Sequence, residues 1–169
     1  MLPSQGREAS SILVPRSQPM TKRIGLLHFL TPALNELVMQ TDQKILARWA
    51  IDCAERVLPY FEQKYPKDKR PHVALETLQN WIDTGVFSMK VIRKASLDAH
   101  AASRQVPEGE PARACGQAVA TAHVPRHAIG SAIYASKAIY EDTHSQEEAE
   151  VEGKWYYQHL KELNSIIKT

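Results

Sequence analysis

The sequence predicts an all-α fold, a compact bundle or array of about six helices with no sheet. Three observations carry that prediction. Beyond Thr41, apolar residues recur at three- and four-residue spacing through most of the chain. No segment sustains the period-two alternation of β-branched residues that marks a strand. Residues that start and stop helices stand between the periodic stretches. A chain of 169 residues is also long enough to bury a core without disulfides or structural metals.

The elements follow in order. The first nineteen residues, MLPSQGREASSILVPRSQP, have no sustained period and end just before a second methionine, Met20. They are expected to form a disordered or tag-like arm, or an upstream extension with Met20 as the natural start. Leu13 to Ser17 also resembles a thrombin cleavage site from an expression vector, without its usual glycine. Residues 20–169 are expected to form one all-helical domain.

After a short apolar segment from Leu26 to Val38, Thr41-Asp42 offers an N-cap. Leu46, Trp49, Ala50, Cys53, Val57 and Phe61 then mark one face of a long amphipathic helix, with a kink expected at Pro59. Pro71 suits the first position of the next helix, whose stripe is Val73, Ala74, Leu78, Trp81 and Ile82. Thr84-Gly85 ends it where a left-handed glycine belongs. Ser88 opens a third helix through Ala102, and VPEGEP separates it from a fourth spanning Ala112 to about Val124. Pro125 divides the fourth from a fifth, which runs to about Tyr140. EDTHSQEEAEVEG reads as a polar loop merging into a last helix with the stripe Leu160, Leu163, Ile166 and Ile167. The alanine-rich third to fifth helices can approach closely, interlocking with Trp49, Phe61, Leu78, Trp81 and Tyr134.

Composition excludes several function classes. With 43% hydrophobic and 24% charged residues and a net charge of +2, the chain lacks the basic excess of a nucleic-acid-binding surface. Without Arg7, Glu8 and Arg16 the remainder carries +1. No apolar run approaches the roughly 20 residues of a membrane span, and Ile12-Leu13-Val14 is cut short by Pro15-Arg16, unlike a secretory signal. Cys53 and Cys115 form no Cys-x-x-Cys pair, which points to buried thiols in a reducing cytoplasm. There is no phosphate loop, no nucleophile elbow and no dinucleotide fingerprint, so no cofactor is expected.

Four stretches remain as candidate chemistry. His123-Val-Pro-Arg-His127 places two imidazoles four residues apart, a spacing that serves metal binding on an unbroken helix. Pro125 disfavours that geometry, and the glutamate that zinc proteases carry after the first histidine is absent. The alternative is structural: His123 caps one helix, and His127 packs or hydrogen-bonds at the start of the next. RWAIDCAERV presents Asp52 and Glu55 with Arg48 and Arg56 close by. This is an intrahelical ion-pair lattice, or half of a carboxylate–histidine site completed by His100 or His123. Asp98 and His100 point to roughly opposite sides of their helix, so His100 needs a distant partner. SQEEAEVE is a solvated acidic helix start or a docking surface for a basic partner.

The blocks ARWAIDCAERVLPYFEQKYPKDKRP, ALETLQNWIDTG, ASLDAHAASR and ARACGQAVATAHVPRHAIGSAIYASKA together resemble a bacterial family of small all-helical immunity proteins. This is the fifth polymorphic-toxin immunity class (immunity-protein-five-like), and the resemblance covers roughly Ile45 to Tyr140. It implies an intracellular antidote, not an enzyme, that binds and neutralises a cognate toxin deployed against neighbouring bacteria. The residues matching the family's polar pattern are Asp52, Glu55, Arg70, His100, His123 and His127, with either a structural or a partner-binding role. The rival readings are a metal-binding protein or metal-dependent enzyme built on His100, His123 and His127 with Asp52 or Glu55, and a homo-oligomerisation module using the carboxy-terminal apolar stripe.

Overall fold

The computed structural model describes residues 25–166, with side chains from residue 32 onward. The amino-terminal arm and Ile167 lie outside the described residues. Among these residues the chain forms eight helices and no strand. They are α1 (Gly25–Met39), α2 (Gln43–Glu55), α3 (Leu58–Lys64), α4 (Arg70–Thr84), α5 (Met89–Arg104), α6 (Glu110–Ala120), α7 (His127–Thr143) and α8 (Gln146–Ile166).

Two helices exceed the six expected, each for a local reason. The apolar segment before Thr41 is itself helix α1, which buries Leu34 and Val38 and packs on α8. The long helix expected through Phe61 is broken at Arg56–Val57, not kinked at Pro59. Val57 stays in the right-handed region (φ −112°) but its N–H bonds to Ala54 O at 3.1 Å, three residues back, and Pro59 takes one of the first two positions of α3, where its missing N–H costs no hydrogen bond. The polar stretch after Tyr140 is also mostly helix. Only His144 and Ser145 interrupt it, and the Ser145 hydroxyl caps α8 by accepting from the Glu148 N–H at 3.2 Å.

Most expected boundaries coincide with real caps. Asp42 accepts from the Lys44 N–H at 2.8 Å, and Ser88 accepts from Val91 N–H at 3.4 Å. Gly85 closes α4 in the left-handed region (φ 69°), where a side chain would be strained. The fourth expected helix ends earlier than Val124: α6 stops at Ala120, and Thr121–His123 turn towards Pro125.

Consecutive helices from α4 to α8 pack on one another, while α2 crosses the assembly and touches α4, α6, α7 and α8. That central position explains why α2 is buried around most of its circumference, beyond the single stripe expected of it. Ile45, Leu46, Ala47, Trp49, Ala50, Ile51, Cys53 and Ala54 are all buried. Small residues on α6 and α7, among them Ala118, Ala128, Ala132 and Ala135, face the large Trp49, Leu78 and Tyr156 in one core. The close approach of α2 and α7 is sealed by Ser131, whose hydroxyl donates to the Ala50 carbonyl at 2.9 Å. Phe61, Ala102 and Ala112 form a smaller second cluster. The carboxy-terminal stripe is largely spent internally, since Leu160 is buried and Leu163 packs on the core, leaving Ile166 exposed.

Candidate functional site

The histidines gather at the corner of α5, α6 and α7, tied to glycine and glutamine. His127 is the first residue of α7, and its Nδ1–H donates to Gln117 Oε1 on α6 at 2.8 Å. His100 on α5 lies flat against Gly116, where an added Cβ would sit 3.0 Å from Nε2 and 3.1 Å from two ring carbons. A larger residue there would need the imidazole to shift by a few tenths of an ångström. His123 follows α6 in the turn and is exposed, with its backbone N–H bonded to Ala120 O at 3.0 Å. Burial pushes the His100 imidazole below its ordinary value, assisted by the positive charges of Arg113 and Arg104 and by His127. Burial lowers His127 as well, with His123 adding to it.

The carboxylates lie elsewhere. Asp52 pairs with Arg48 one turn back (3.1 Å), as the lattice reading expects, and accepts from His159 Nε2–H on α8 at 2.7 Å. Arg56 reaches past its own helix to α8, where Nε and Nη2 engage both oxygens of Glu152, the latter at 3.0 Å. Trp155 joins the two pairs: Arg56 lies 4.0 Å from its ring centroid and His159 stacks on it at 4.5 Å. Beneath them Cys53 is fully buried, and burial followed by the charges of Asp52 and Glu152 raises its thiol well above the usual range. Arg70 turns back to Asp68 (2.6 Å) and reaches Gln105 (2.6 Å), joining the start of α4 to the end of α5.

The six residues therefore fall into separate places. His100 and His127 share a corner, while Asp52, Glu55 and Arg70 are distributed over other seams. Among the described residues no three His, Cys, Asp or Glu side chains are grouped to hold a metal ion.

Glu55 belongs to a concave feature that sequence reasoning missed. A groove of about 500 Å³ runs between α2–α3 and α4. Ile51, Leu58, Pro59 and Leu75 form its apolar floor, and Glu55, Glu62, Glu76 and Asp83 supply its carboxylates. His72 stands between Glu62 (3.6 Å) and Glu76 (3.4 Å). Its signal was the α4 series His72, Glu76, Gln79, Asp83 at helical spacing. The α8 series Glu152, Trp155, Tyr156, His159 is the matching signal for the second missed group.

The family comparison agrees with this extent of structure. A family model described as Imm-5 like putative immunity protein matches residues 36–163, and the chain belongs to that family. The match reaches beyond the Ile45–Tyr140 expected, taking in the acidic stretch and the α8 residues that meet α2. No curated protein and no solved structure matches the chain.

Proposed function

We propose that this chain is a bacterial immunity protein that acts in the cytoplasm, binding a cognate toxin and neutralising it by occlusion. The observation that carries this reading is the family match over residues 36–163. A preformed helical body suits the task, because a surface that is already ordered loses little conformational entropy on docking. The polar residues fit the same reading. His100, His127, Asp52 and Arg70 hold helices to one another, whereas His123 and Glu55 are exposed and available to a partner. No helix among the described residues is long and apolar enough to cross a membrane.

Co-expression with the toxin encoded by the adjoining reading frame tests the proposal. Growth of cells producing that toxin should be restored by the wild-type chain. Failure to rescue with folded immunity protein present would overturn it.

A further inference from the structure

We propose that the groove along α4 is the docking face for the toxin, and that it takes a basic segment presenting Lys or Arg side chains between apolar ones. This rests on the reading of the chain as an immunity protein. The groove's carboxylates are poorly compensated from within. Glu55 makes no hydrogen bond or ion pair among the described residues, and Asp83 accepts only from the neutral Gln79 (2.7 Å). Among the described residues, Glu76 pairs with the imidazole of His72 alone, while Glu62 has that imidazole and Lys69 at 4.0 Å. Among the described residues, no Lys or Arg lines the groove. Arg48 reaches its edge through Gln79 (3.1 Å), but its charge is committed to Asp52.

Shape and polarity narrow the occupant further. The lining residues of α4 run from His72 to Asp83, a length of about 16 Å at 1.5 Å per residue, enough for one helix or extended segment. The apolar floor offers a free cation nothing, whereas it suits apolar side chains spaced between basic ones. Just beyond Asp83, Val86 and Phe87 in the link to α5 and Met89 at its start are exposed by 70%, 47% and 41%. These apolar side chains follow the groove's last lining residue in sequence and would extend the contact with a partner seated along α4. The carboxylates steer the basic partner and set its register, and the floor and these side chains supply the buried area.

The full chain and the toxin encoded beside it, purified separately, provide the test by calorimetry. The charge reversal Glu55→Lys, Glu76→Lys and Asp83→Lys should weaken binding by about 100-fold or more. The same charge change at Glu147, Glu148 and Glu150 on α8 should leave it within about 3-fold. Circular dichroism checks the fold, and Glu55→Gln, Glu76→Gln and Asp83→Asn stand in if the reversal does not fold, with about 10-fold weakening expected. Wild-type affinity with groove variants bound equally well, or with the α8 variant weakened as much, overturns the groove alone. A wild-type chain that neither binds nor rescues overturns the immunity reading and the groove with it.

Discussion

His100 and His127 are biased towards the neutral imidazole for a structural reason: each gives up solvent to close the α5–α6–α7 corner, and each stands near other positive or imidazole groups. Their folded pKa values lie below the ordinary 6.5, so the unfolded chain takes up protons first as pH falls. Stability is therefore full above about pH 6.5, declines below it, and stops declining once the folded histidines also protonate. The urea midpoint of wild type should drop between pH 7.5 and 5.5 and drop less in His127→Gln, which keeps an N–H for Gln117. Equal drops in both would show that His127 does not carry the effect. In the sequence, Pro125 already separated His123 from His127, and the small residues around them already implied a corner. The fit of His100 against Gly116 was not legible, because it joins two residues sixteen apart on different helices, and only three-dimensional packing makes them neighbours.

At the level of elements, caps were easier to read than continuity. Asp42, Gly85 and Ser88 each satisfy a backbone group that the helix itself leaves open, and such residues announce themselves in one dimension. Pro59 was ambiguous by the same logic, since proline breaks a helix interior and suits a helix start, and the choice depends on whether the chain at Arg56–Val57 tightens into a turn that ends one helix and starts the next. Pairing between elements was the least legible. Arg56 has Asp52 four residues before it, yet it reaches across to Glu152, because Asp52 is held by Arg48 and His159. That bidentate contact fixes α8 against α2 and positions Trp155 over the guanidinium. Glu152→Ala should cost about 1–2 kcal/mol, less than a fully buried charged pair because Arg56 retains access to water. Urea titration measures the loss, and hydrogen exchange should show it concentrated in α8. Unchanged protection there would mean that the apolar contacts of α8 suffice without the pair.

On the scale of the molecule, α2 is the axis and α8 is the cover that closes it. The Trp49 indole N–H donates to the backbone carbonyl of Tyr156 at 2.8 Å, a buried bond joining residues 107 positions apart. Tyr156 and Leu160 fill the same core, and Glu152 and His159 complete the partners of Arg56 and Asp52. Ending the chain after Thr143 removes all of these together. Burial of one side chain such as Leu160 contributes about 1.5–3 kcal/mol, and losing the Trp49–Tyr156 hydrogen bond costs about 0.5–1.5 kcal/mol more. With Tyr156 and two polar contacts added, the loss rivals the roughly 5–15 kcal/mol that holds a typical domain folded. The truncated chain should therefore show no cooperative urea transition and no near-ultraviolet dichroism from Trp49, and it should fail to rescue cells from the toxin. A truncated chain that still unfolds cooperatively would show instead that α2, with α4 to α7, already forms a self-sufficient core. The groove on α4 would then be open to study without α8.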